Sequence, residues 1–189
     1  MRCVASSDIS LDPTAGDATV IRGIAADLKR ESAEKTLAAI HSYLDRSMTT
    51  IENATWDHPS RRPMTSVEIL RGGAWGCSAY AQVACHFARA CGIPAILAKS
   101  LDIDWIERGN QGDGRGKGHV YVEVLIAGKP CLWDAQGGEL HKDYDPESGL
   151  VPGARRIYDK GGADALVLSH HGENWEAETK RLFPRAEKR

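Results

Sequence analysis

The sequence predicts a single domain that opens with helices and continues into antiparallel strands. Three observations carry this reading. Apolar residues recur at the helical period between Asp17 and Met48. An alanine-rich stretch without glycine or proline runs from Cys77 to Cys91, bordered by glycines on both sides. From His119 onward, side chains alternate at period two. The first two patterns suit the 3.6-residue turn of a helix, and the third suits the pleat of a strand.

The elements follow in order. Residues 1–16 are polar and rich in Ser, Asp and Gly, and are expected to form a flexible arm; residues 17–189 are expected to form the domain. After Asp17, Ile21, Ile24, Ala25 and Leu28 share one helical face, with Arg22, Asp27 and Lys29 opposite. Ser32 is placed to cap a second helix whose stripe is Ala33, Leu37, Ile40, Leu44 and Met48. His41 lies beside that stripe and reads as a partly buried or surface histidine rather than a ligand. Pro59 and Pro63 mark a loop over 50–62, and Thr65 or Ser66 then begins a short helical turn, SVEILRGG.

The helix starting at Cys77 is stopped by Gly92-Ile93-Pro94, and residues 94–100 read as a buried strand. Residues 104–118 carry five glycines and no apolar period, as expected for a long loop at the rim of a cleft. Val120, Val122 and Val124 then alternate with Tyr121, Glu123 and Leu125, predicting a strand with one buried face. A four-residue connection over 127–130 and a strand over 131–134 complete a predicted hairpin. Residues 136–153 read as a loop at the cleft, 155–158 and 165–168 as short strands, and the tail from Gly172 as a polar helix.

Composition limits the function classes. Apolar residues make up 42% and charged residues 26% of the 189, as in an ordinary globular domain. A formal charge of −2 offers no attraction to nucleic acid or to an anionic membrane, so neither is expected as a partner. No apolar run has the length of a secretory leader or of a membrane span. Five cysteines without regular spacing do not form a disulfide framework. A reducing cytoplasm is the default expectation, with export by a route lacking a cleaved N-terminal signal left open. Oligomeric state is not legible.

The chemistry concentrates on Cys77, His119 and Asp134. Cys77 falls in the first turn of its helix, where unpaired amide N–H groups and the helix dipole favour thiolate over thiol. A thiol nucleophile needs a base, and the base needs a third group to orient it. His119 opens the first hairpin strand and Asp134 ends the second, so the turn between them brings the two together. The expected contact is from Nδ1–H to the carboxylate.

These segments resemble the core of the transglutaminase-like superfamily. The resemblance rests on GAWGCSAYAQVACHFARACGIPAILA, then GHVYVEV, then CLWDAQ, and on a lead-in helix containing AAIHSYL; it covers roughly residues 18–140. It implies an α+β, papain-like fold, with the nucleophile helix packed on an antiparallel sheet. It also implies a Cys77–His119–Asp134 catalytic triad that attacks amides and passes through a thioester acyl-enzyme. The oxyanion would bind the Cys77 N–H and a second donor, for which Trp75, Ser78 and the loop carrying Trp56 are candidates. Gln136 is a further candidate contact, within Ala135-Gln136-Gly137-Gly138, which stands where the family usually has Pro-Thr.

Within that reading a peptidase or amidase acting on a peptide or protein substrate is expected. No acidic cluster suggests the calcium sites of animal transglutaminases, and no extra domain is visible to position a second protein. Transglutaminase or deamidase activity is the alternative, and a catalytically silent scaffold with the same fold is the alternative of another class.

No cofactor and no metal site are expected. Cys85, His86 and Cys91 stand at i, i+1 and i+6 of one helix, which cannot converge on a tetrahedral ion. The glycine-rich loop lacks the G-x-x-x-x-G-K-[ST] pattern of a phosphate cradle.

Overall fold

The computed structural model describes residues 2–48, 64–73, 76–104, 118–151 and 155–162. The strand expected at 165–168 and the polar C-terminal helix lie outside these residues.

Local chemistry starts the helices where the sequence indicates. Asp17 caps α1 (Ala18–Leu28) by accepting from the Thr19 N–H, and Ser32 caps α2 (Ala33–Ser47) by accepting from Lys35. At α3 (Ser66–Gly72), Thr65 and Glu68 each accept from the other's backbone N–H, so two orphan donors are satisfied together. Helix α4 (Gly76–Ala90) is the centre of the molecule: Tyr80 through Arg89 are all buried. Its flanks meet α1, α2, α3 and two strands of the sheet.

The sheet has six strands in the order β4-β3-β2-β1-β6-β5, every neighbouring pair antiparallel. They are β1 (Ala95–Asp102), β2 (Gly118–Ile126), β3 (Lys129–Trp133), β4 (Leu140–His141), β5 (Leu150–Val151) and β6 (Arg155–Gly161). The two-residue strands β4 and β5 fall inside 136–153, read from sequence as loop; such short pairings carry no periodic signal. The β2–β3 connection is also tighter than expected. Ile126 pairs with Lys129, leaving only Ala127 and Gly128 in the turn, with φ of 49° and 77°. Both central residues at positive φ is the hairpin turn whose twist matches its strands.

One face of the sheet, with Val120, Val122, Val124, Cys131 and Trp133, packs against the helices. The other face is buried as well, contrary to the one-sided strand expected at β2. Tyr121, Leu132 and Ile157 on that face are covered by Tyr144 and Val151 from the segment between β3 and β6. Glu123 is fully buried there beside Lys160, the two charges in ion contact, and its Oε1 accepts the Val4 N–H at 2.7 Å. Neither Glu123 Oε2 nor Lys160 Nζ lies on a hydrogen-bond direction of the other, so the pairing is chiefly of charge.

The N-terminal arm makes specific contacts. Arg89, 6% exposed on α4, needs acceptors, and finds Ser10 O at 3.0 Å, Asp12 Oδ2 at 3.2 Å and Ala95 O at 2.8 Å. His86, fully buried, lies between Ser66 Oγ (2.7 Å from Nδ1) and Asp12 Oδ1 (3.2 Å from Nε2). A buried cation and a buried imidazole require such partners, and Asp12 supplies both from a segment that pattern alone leaves unplaced.

Candidate active site

Cys77 is the second residue of α4, after Gly76 at φ 71°. A positive φ favours glycine at this position. The thiol is partly exposed. It interacts with the His119 imidazole, with the Val120 backbone N–H and with the Ser78 hydroxyl. Burial pushes the Cys77 pKa up; these three donors outweigh it and hold the pKa below that of an ordinary thiol.

His119 is the second residue of β2, paired with Ser100 of β1. Its Nε2 stands 3.0 Å from Asp134 Oδ2, just beyond the end of β3. Nε2 rather than Nδ1 therefore faces the carboxylate, which corrects the expected ring orientation and leaves Nδ1 available to the thiol. Although the atoms are at hydrogen-bond distance, the N–H direction is off the acceptor, so charge attraction dominates the contact. Burial lowers the His119 pKa, but Asp134 and Cys77 override it and raise the value to about 9. The edge of the Tyr121 ring packs on His119 at 4.6 Å between centroids, and His141 packs on Tyr121 in turn.

Asp134 uses both carboxylate oxygens. While Oδ2 faces His119, Oδ1 accepts from the Gln136 N–H at 3.1 Å and the Gly137 N–H at 3.0 Å. Burial raises its pKa, and His119 with these amides lowers it below the usual carboxylate value. The turn is closed by Gly138 N–H to Asp134 O at 2.7 Å and Asp134 N–H to Glu139 O at 2.8 Å. The sequence Ala135-Gln136-Gly137-Gly138 thus has a concrete task, presenting backbone donors to one carboxylate oxygen.

The structure brings Cys77, His119 and Asp134 together. Ser78 is the next residue on the helix, and its hydroxyl contributes to holding the Cys77 pKa down. Gln136 touches the site through its backbone N–H, its residue being otherwise exposed. Trp56 and Trp75 lie outside the described residues. Among the described residues there is no cluster of three metal-ligating side chains, and no helix is long and apolar enough to cross a membrane. Sequence reasoning missed three contributors: the Val120 N–H, the Tyr121 ring and His41, whose Nδ1 is 3.0 Å from the Ala135 carbonyl. Nothing in the local pattern around any of them signals the role.

A cysteine at the start of a helix, packed on an antiparallel sheet whose neighbouring strands bring His119 and Asp134 together, is the geometry that the sequence resemblance implies. The model of the transglutaminase-like superfamily matches residues 20–136, which includes all three side chains. The chain belongs to the transglutaminase-like superfamily. Two solved structures share the α+β fold. A protein of Cytophaga hutchinsonii provisionally assigned as a cysteine protease superposes with a TM-score of 0.56 at 17% identity, over 85% of this chain and 47% of that one. LapG of Legionella pneumophila superposes with a TM-score of 0.52 at 15% identity, over 96% of this chain and 99% of that one. This chain therefore spans about half the length of the Cytophaga protein and nearly all of LapG. No curated protein matches the chain.

Proposed function

We propose that this transglutaminase-like protein is a cysteine peptidase or amidase, with Cys77 as nucleophile, His119 as general base and acid, and Asp134 as the group that orients and charges His119. The observation that carries the reading is the continuous contact from the Cys77 thiol to His119 to Asp134, with the thiol pKa lowered and the imidazole pKa raised. Those opposite shifts are what a thiolate–imidazolium pair requires.

In the first step the Cys77 sulfur bonds to the amide carbonyl carbon and the carbonyl electrons move to oxygen. That oxyanion is within the field of the α4 N-terminus, and the Cys77 N–H is one donor to it. The second donor is proposed among Ser78, Trp75 and the Trp56 segment, with Gln136 as a substrate contact. Collapse of the intermediate breaks the C–N bond as His119 passes its proton to the departing amine, leaving a thioester on Cys77. His119, now neutral, takes a proton from water, whose oxygen attacks the thioester; the acid product leaves and the thiolate–imidazolium pair is restored.

Peptide or protein chains are the proposed substrates, a class suggested by the protease assignment of the Cytophaga protein. The test is the pH dependence of iodoacetamide alkylation, read for each cysteine by mass spectrometry, with wild type and His119→Ala compared. Fast reaction of Cys77 alone near pH 6, lost without His119, supports the reading; reaction no faster than exposed Cys3 sinks it and leaves a silent scaffold. Turnover of peptide amides, set against ammonia release or amine incorporation at glutamine side chains, separates peptidase from deamidase and transglutaminase.

A further inference from the structure

The carboxylate that charges His119 sits in a turn with few side chains of its own to hold it. Gln136, Gly137 and Gly138 are exposed, and two of the three are glycine. Backbone hydrogen bonds close this turn upon itself. Ala135 packs into the core shared with the helices, and a polar contact from far away in sequence also reaches the turn from α2.

His41, on α2, has Nδ1 at 3.0 Å from the carbonyl oxygen of Ala135, 94 residues later. A carbonyl oxygen only accepts, so Nδ1 carries the proton and donates. The same ring fills the space beside Gly138: a Cβ built there would come within 2.7 Å of His41 Nε2. Gly138 adopts φ 79°, so both the backbone conformation and the imidazole next to it call for glycine. One histidine therefore meets the turn at both ends, by a hydrogen bond at Ala135 and by contact at Gly138, while Asp134 lies immediately before them.

We propose that His41 is a positioning residue for the reactive centre: its Nδ1–H anchors the Ala135 carbonyl and thereby fixes where Asp134 meets His119. The inference rests on the triad reading given above. His41 touches neither the thiol nor the substrate carbonyl in this scheme, and acts only through Asp134.

The experiment is the alkylation profile of Cys77 against pH in wild type, His119→Ala, His41→Ala and His41→Asn. Asparagine carries an N–H donor the same number of bonds from Cα as Nδ1. With the anchor lost, Asp134 stabilises the imidazolium less well, so less thiolate exists at low pH. The expected result for His41→Ala is a midpoint raised by about one pH unit, roughly tenfold slower alkylation near pH 6. His41→Asn is expected to restore a profile close to wild type. A purely structural histidine would lower the melting temperature without moving this profile.

If the His41→Ala profile superimposes on wild type while His119→Ala abolishes fast alkylation, the positioning role is overturned and the triad reading stands. Equal shifts in the Ala and Asn variants also overturn it, because the N–H is then not the agent. An ordinary thiol profile for wild-type Cys77 removes the triad reading and this inference with it. Should His41→Ala not fold, His41→Gln, a good helix former with its N–H one bond further out, makes the same comparison.

Discussion

His119 Nε2 and Asp134 Oδ2 stand 3.0 Å apart across a diagonal of the β2–β3 hairpin. Val122 pairs with Trp133, so the register carried one residue further sets Asp134 across from Tyr121, two residues beyond His119 on the same face. Diagonal neighbours on one face are within reach of side chains of this length. The hairpin register therefore puts His119 and Asp134 within reach of each other, and a one-residue slip would separate them.

Asp134→Asn keeps an oxygen for the Gln136 and Gly137 amides and removes the charge facing His119. The His119 pKa is expected to fall from about 9 toward its ordinary 6.5, and kcat to drop by about 10²- to 10⁴-fold. An NMR titration of His119 together with single-turnover kinetics checks both. An unchanged His119 midpoint would mean that Asp134 does not charge the base.

The pH–rate profile should have its alkaline limb near the His119 value of about 9. Above it the imidazolium loses the proton that the leaving amine needs, so kcat/KM falls; as pH drops, the Cys77 thiolate is protonated and the rate falls again. For stability the sign is fixed by the raised His119 pKa. Its contribution is full below 6.5 and is lost as pH rises through about 9. The measurement is kcat/KM and thermal midpoint from pH 5 to pH 10.

Gly138→Ala puts a Cβ at positive φ and within 2.7 Å of the His41 ring. About 1–3 kcal/mol of destabilisation is expected from the backbone strain alone, read by chemical denaturation. Gly137→Ala lacks a positive φ, but its Cβ would stand 3.1 Å from Asp134 Oδ2. It should cost activity more than stability, because the carboxylate itself must give way.

Lys160→Met strands the buried Glu123 charge and should destabilise the fold by about 3–5 kcal/mol. Adding Glu123→Leu removes the orphan, and most of the loss should return despite the Val4 N–H losing its acceptor. A double-mutant cycle on urea midpoints measures this; simple additivity of the two losses would show that the pair is not coupled.

Much of the site was legible because its signals are local. The helix start that presents Cys77, the alternation that begins at His119 and the turn residues before Asp134 all act within a few positions of the chain; helix and strand begin where expected, and the hairpin forms with a shorter turn. Caps at Asp17, Ser32 and Thr65 are equally local, since one side chain satisfies amides two or three residues away.

Other features depended on contacts between distant segments. Which imidazole nitrogen meets Asp134 is fixed only when the ring sits between Cys77 of α4 and Asp134. The second buried sheet face exists because Tyr144 and Val151 fold over Tyr121 and Leu132. The Asp12 contacts to His86 and Arg89 and the Glu123–Lys160 pairing join segments without shared periodicity.

The candidate residues Cys77, His119 and Asp134, and the elements that present them, were legible in the sequence alone, because capping, periodicity and turn chemistry act over a few residues. Only the tertiary structure decided how those groups are aimed and held. His41 can serve the Asp134 turn only once α2 and the end of β3 pack together, since a hydrogen bond spanning 94 residues leaves no pattern in the chain.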